Sequence, residues 1–200
     1  MFFIEVLSAA FGFVCVALLI VRNHWSWPVG FVQVILTAVV LWDAMLYAET
    51  ALQFLFAGLQ IYGWWAWLAS RTSKTDPSAP SDIRVEELTK RGWSLSLIAT
   101  IAMTASLTWV LVTFTDGNSP GIDAFITAAS LTAQVLLAAR CLENWLFWIA
   151  VDIVSIPLYI HRGLYVLALL YVLFLCLAIG GWVSWRQSLK SSIPSREQTR

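Results

Sequence analysis

Between Leu46 and Trp67 the chain reads L-Y-A-E-T-A-L-Q-F-L-F-A-G-L-Q-I-Y-G-W-W-A-W, an apolar stretch that carries one acid and two amides. At about 1.5 Å per residue, roughly 20 residues cross the hydrocarbon core of a bilayer, so this stretch is long enough to span one. Glu49, Gln53, Phe56, Gln60 and Gly63/Trp64 recur at steps of three and four and share one face of a helix. Acids and amides that face lipid are costly, and such groups normally face a bundle interior or a wet cavity. The stripe therefore predicts a membrane helix with a polar interior partner.

The rest of the chain fits that constraint. It has 200 residues, of which 60% are hydrophobic and 12% charged, whereas a soluble domain carries about 25% charged residues. Only helices and closed barrels satisfy the backbone in lipid, and the alternation of a barrel strand is absent. The fold class expected is an all-α integral membrane protein with seven transmembrane helices, at about 2–21, 26–42, 45–68, 93–114, 121–140, 144–161 and 164–185. The first apolar run opens with Glu5 rather than basic residues and reads as a span, not a cleavable leader. Pro28 falls in a first helical turn, where its missing N–H costs nothing. Residues 70–92 form the one long polar segment, with a short surface helix expected over 82–90.

Orientation follows from Lys and Arg, which gather on the cytoplasmic side. Seven spans put eleven of the twelve on one side and only Arg162 on the other. The N-terminus is thus expected outside the cell and the C-terminus in the cytoplasm.

A gapless shift of 118 residues lays Arg22 on Arg140, Trp27 on Trp145, Tyr47 on Tyr165, Gly63 on Gly181, Trp64 on Trp182 and Trp67 on Trp185. Leu and Phe matches are cheap in such a composition; Trp, Tyr, Gly and Arg matches at one offset are not. The chain therefore divides into a first three-helix bundle (1–68), a cytoplasmic loop (69–92), a connector helix (93–114), a second bundle (115–186) and a cytoplasmic tail (187–200). One connecting span between two triplets gives a parallel 3+1+3 repeat about an axis along the membrane normal, with substrate expected at the repeat interface.

The sixth span carries the second polar constellation: Asn144, Trp145, Trp148, Asp152, Ser155 and Tyr159, at helical spacing from 145 onward. A carboxylate there needs a partner, water or a cationic ligand. Tryptophans beside an acid suit a flat cation, at about 0.5–2 kcal/mol per ring. The competing reading of the Trp residues is an interfacial aromatic belt. Gln53 and Gln60 on the third span, Gln33 and Thr37 on the second, and Thr127, Ser130 and Gln134 on the fifth are either ligand contacts or helix–helix hydrogen bonds. Glu49 lies near the outer surface in this topology. No phosphate-cradling Gly loop, metal-ligand cluster or nucleophile-plus-base pairing is found. No enzyme, metal or cofactor is expected, and no nucleic-acid partner. Cys15, Cys141 and Cys176 are an odd, scattered set that argues against a disulfide framework.

The segments L-Y-A-E-x-x-L-Q…Y-G-W-W-x-W (46–67) and E-N-W-L-F-W-I-A-V-D-I-V-S-I-P-L-Y (143–159), with G-L-Y-V-L-A-L-L-Y and G-W-x-x-W after them, resemble the PnuC family of bacterial nicotinamide riboside transporters. The resemblance covers nearly the whole chain and is weakest over 70–92 and the fourth span. It implies a SWEET-related fold in the inner membrane, often trimeric, and facilitated diffusion of a vitamin that a cytosolic kinase then traps. It also implies that Asn144, Trp145, Trp148 and Asp152 match the family's sixth-span recognition motif, and Tyr47, Glu49 and Gln53 its third-span motif. Wider relatives carry thiamine or riboflavin; the acids Glu49 and Asp152 favour a cation, nicotinamide riboside first. A non-transporting sensor or subunit, its polar stripes merely joining helices, is the reading from a different class.

Overall fold

The structure is a computed structural model that describes residues 2–43, 45, 47–72, 83–114 and 119–191. Among these it contains seven helices: α1 (Phe2–Ile20), α2 (Ser26–Asp43), α3 (Tyr47–Thr72), α4 (Lys90–Phe114), α5 (Pro120–Ala138), α6 (Asn144–His161) and α7 (Tyr165–Ser191). Six are long and apolar enough to cross a membrane. The exception, α3, is long enough at 26 residues but carries the polar stripe. Large apolar side chains such as Phe54, Ile101, Ile153 and Val166 stand exposed on the outside of the bundle. A soluble monomer rarely exposes so much apolar surface, and lipid is its natural solvent.

Helix starts fall at 2, 26 and 47 and again at 120, 144 and 165, so each pair is separated by the same 118 residues. The helix ends match as well. After α1 the Asn23 N–H donates to Leu18 O (2.9 Å) and Arg22 N–H to Leu19 O (3.0 Å); after α5 Cys141 donates to Leu136 O (2.9 Å) and Arg140 to Leu137 O (2.9 Å). These are Schellman closures, which require one left-handed residue. Arg22 (φ 57°) and Arg140 (φ 62°) occupy that position, as do Met45 (φ 59°) and Gly163 (φ 73°) after α2 and α6.

Helices α1, α2 and α3 pack as one bundle and α5, α6 and α7 as another, while α4 packs on α5. The bundles meet where α1 touches α7 and α3 touches α5, two contacts that exchange under the repeat offset. At this seam Trp67 and Trp185 are fully buried with ring centroids 6.3 Å apart. Trp27 stands edge-on to Trp67 (5.3 Å) and Trp145 edge-on to Trp185 (5.6 Å). Gly63 and Gly181 make room for this: a Cβ on Gly63 would collide with the Trp27 ring, and one on Gly181 would fall 2.5 Å from the Trp145 ring. At the other end of the second bundle, Arg162 pairs with Asp123 at 2.8 Å.

The expected surface helix over 82–90 is corrected, Asp82 itself lying outside the described residues. Residues 83–89 are extended, and α4 starts at Lys90. Ile83 and Val85, two residues apart and therefore on the same side of an extended chain, are buried in the cluster that holds Trp27, Trp67, Trp145 and Trp185. The strap is tied to the α5–α6 turn. Glu86 N–H donates to Arg140 O (3.0 Å), Leu142 N–H donates to Glu86 O (2.8 Å), and Leu88 N–H donates to the Glu143 carboxylate (3.0 Å). Burial of β-branched side chains and this ladder outweigh the helix propensity of the Arg-Val-Glu-Glu-Leu run.

Candidate functional site

A cavity of about 230 Å³ lies between the two bundles, walled by all six repeat helices and not by α4. Helix α6 provides its most distinctive wall. Trp145, Trp148 and Asp152 follow at steps of three and four and so face the same way. Trp145 is at once wall and core, wedged on Gly181 and Trp185 and only 2% exposed. Trp148 is half-buried and freer to meet a ligand. Asp152 is 4% exposed, and no cationic side chain lines the cavity among the described residues. A buried carboxylate without a cation is costly, so a positively charged guest would be stabilised there.

The facing walls are amides and hydroxyls. From the first bundle come Gln33 of α2 and Gln60 of α3; from α5 come Ser130 and Gln134. Gln33 is held in place by a bond from its Nε2 to Thr37 Oγ1 (3.0 Å), and Thr37 Oγ1 is in turn 2.7 Å from Ser8 Oγ. Tyr171 and Phe174 of α7 close one side, their rings 6.1 Å apart. The small residues Gly12 and Cys15 of α1 complete the wall.

Of the residues expected from sequence, Gln33, Gln60, Trp145, Trp148 and Asp152 are brought together around this cavity. The others lie elsewhere. Asn144 is fully buried beneath the wall and donates from Nδ2 to Cys141 O at 2.6 Å. Tyr159 stands behind Tyr171, with ring centroids 4.9 Å apart. Gln53 is half-buried and Glu49 exposed, and neither lines the cavity. Tyr47 opens α3, but its side chain lies outside the described residues. Sequence reasoning did not single out Tyr171 and left Ser130 and Gln134 undecided. The repeat itself holds the signal. Lining positions recur 118 residues apart, with Gly12 matched by Ser130, Val16 by Gln134, Gln33 by Val151 and Gln60 by Ala178. Each of these pairs is polar in one half only, so the chamber has two chemically different sides.

At the α5–α6 turn, beyond the spans, burial, helped by Glu143 and Glu86, pushes the Cys141 thiol up to about 11. It is a neutral packing group rather than a nucleophile. No cluster of metal-binding side chains occurs among the described residues. What the chamber can do is hold a flat, positively charged, hydroxylated molecule.

The chain matches the family model for nicotinamide mononucleotide transporters over residues 2–187. It is 25% identical to the nicotinamide riboside transporter PnuC of Escherichia coli (strain K12), over 94% of this chain and 86% of that protein. It is 26% identical to PnuC of Neisseria mucosa, over 92% of this chain and 72% of the relative. The riboflavin/roseoflavin transporter RibM of Streptomyces davaonensis is 28% identical over 87% of this chain and 80% of its own length. The crystal structure of the vitamin B3 transporter PnuC superposes with a TM-score of 0.75 at 25% identity, covering 94% of this chain and 83% of that chain. With six strongly apolar spans and bacterial relatives of this kind, the protein is a multi-pass protein of the bacterial inner membrane. The match runs through both helix triplets and the connector between them, and the chain belongs to the nicotinamide mononucleotide transporter family, as a PnuC-type membrane transporter.

Proposed function

We propose that this transporter carries nicotinamide riboside down its concentration gradient, without ion coupling. One observation carries the reading: Trp148 and Asp152, a turn apart on α6, face the same chamber as Gln33 and Gln60. The pyridinium ring is flat and cationic, which suits an indole and a carboxylate. Ribose hydroxyls both donate and accept, which suits amides. The names of the E. coli and N. mucosa relatives support the same substrate.

In this mechanism the ligand binds at the seam and the two bundles rock about it, exposing the chamber to each side in turn. The N-terminus lies outside and the C-terminus in the cytoplasm, following the Lys and Arg distribution. A cytosolic kinase then phosphorylates the vitamin and keeps the inward gradient steep. Three copies assemble in the membrane, as the family resemblance implies. A second reading, riboflavin as the cargo, is favoured by the RibM relative alone. A neutral three-ring ligand has no use for Asp152.

Titrating the purified protein with nicotinamide riboside, thiamine and riboflavin, and following tryptophan fluorescence, tests the assignment. Saturable quenching by nicotinamide riboside at the lowest concentration is expected. Tighter quenching by thiamine or riboflavin reassigns the cargo, and quenching by none of the three removes the transport reading.

A further inference from the structure

Gly30 on α2 and Trp148 on α6 occupy matched positions, 118 residues apart. In the second half of the molecule the Trp148 indole forms the chamber wall. In the first half the same position has no side chain, and the amide of Gln60 from α3 occupies the space. A Cβ on Gly30 would stand 2.5 Å from Gln60 Nε2 and 2.9 Å from its Cδ. Any larger residue at 30 therefore pushes the Gln60 amide out of its seat. Gln60 is buried at 9% exposure and lines the chamber.

An amide at the wall of a chamber is placed to bond a guest, because a buried polar group of the guest left without a partner costs free energy. Its NH₂ donates and its oxygen accepts, which matches hydroxyl groups and offers nothing special to an aromatic face. The repeat thus turns one position into two opposed devices: an indole where the residue is Trp, and a clearing for an amide where it is Gly.

We propose that Gly30 is the positioning residue of a hydroxyl-reading subsite. By having no side chain it seats the Gln60 amide opposite Trp148, and that amide distinguishes a ribosylated pyridinium from the bare ring. This rests on the nicotinamide riboside reading given above. A site built to bond a hydroxyl rejects the analogue lacking it, since its own polar groups are then left unpaired.

The test measures binding of nicotinamide riboside and of 1-methylnicotinamide, the same cationic ring without a sugar, to full-length protein in detergent. Wild type is compared with Gly30→Ala, Gln60→Ala and the double variant. A Cβ on Gly30 would also stand 3.0 Å from Cys15 Sγ, and the double variant, which has no amide left to displace, isolates any loss that does not pass through Gln60. Gly30→Ala and Gln60→Ala should each weaken nicotinamide riboside roughly 5- to 50-fold, the loss of one or two buried hydrogen bonds. Both should leave 1-methylnicotinamide within about twofold, and the double variant should be no weaker than Gln60→Ala alone. Equal losses for the two ligands, or additive losses in the double variant, overturn the proposal. Gln60→Ala only removes atoms, so it decides the matter if Gly30→Ala does not fold: unchanged discrimination in it refutes the idea. If wild type binds both ligands equally well, the nicotinamide reading stands and this inference fails. If wild type binds neither, both fail together.

Discussion

The Trp67 indole N–H donates to the Leu137 carbonyl at 3.2 Å and so ties α3 to α5 across the seam between the bundles. Its image under the repeat is also present: Trp185 N–H donates to Leu19 O at 3.0 Å, tying α7 to α1. Two buried indoles thus clamp the halves symmetrically, and any rocking that opens this end must break both bonds.

Trp67→Phe and Trp185→Phe should therefore destabilise the protein to a similar degree, by about 1–3 kcal/mol each, combining a lost hydrogen bond with a small cavity. The rings are in contact, so the double variant should not lose the sum of the two. Melting temperatures in detergent check this. Trp65→Phe, at a site 66% exposed, is the control and should move little.

Gly63→Ala and Gly181→Ala both force a methyl group into an indole and should each cost roughly 1–3 kcal/mol by overpacking. Their effects on ligand binding should differ. Trp145, displaced by the second change, lines the chamber, whereas Trp27, displaced by the first, does not. A binding isotherm should weaken for Gly181→Ala and stay near wild type for Gly63→Ala, measured well below both melting points.

Asp152→Asn keeps shape and removes charge. Loss of a charge-assisted contact of roughly 1.5–3 kcal/mol should weaken nicotinamide riboside about 10- to 150-fold. Binding of a neutral aromatic, if any is measurable, should not fall. A calorimetric titration of the variant against both ligand types checks the charge assignment.

Cys141, with its thiol pushed up to about 11 from an ordinary 9.0, should resist maleimide at neutral pH and label faster only as the pH approaches that range. Between those two values the folded chain keeps a proton that the unfolded chain has released. Its contribution to stability therefore falls as pH rises through that window. Mass spectrometry of the Cys141 peptide, compared with a cysteine introduced by Glu87→Cys on the exposed side of the strap, measures the labelling.

Much of this architecture is legible in the chain, for physical reasons. Membrane spans declare themselves by length and apolarity, and a repeat at one offset is visible where Trp, Gly and Arg coincide. Trp148 and Asp152 stand out because lipid makes such neighbours costly unless they are used. The α3 stripe is only partly informative. Glu49, Gln53 and Gln60 share a helical face, yet spacing fixes the face and not the depth, and of the three only Gln60 reaches the chamber. Helix α1 gives no polar signal because its contribution is small and apolar, as at Gly12 and Cys15. The strap over 83–89 is invisible locally: its Glu and Leu residues favour a helix, and only distant partners, the tryptophan cluster that buries Ile83 and Val85 and the α5–α6 turn that bonds Glu86 and Leu88, hold it out of one.

The carrier mechanism itself is tested most directly by counterflow in proteoliposomes. Loaded with unlabelled nicotinamide riboside and diluted into a trace of labelled compound, vesicles should accumulate label transiently, with or without ionophores, and Trp148→Ala vesicles should not. Label uptake that requires a proton or sodium gradient, or no exchange at all by the wild-type protein, would contradict it.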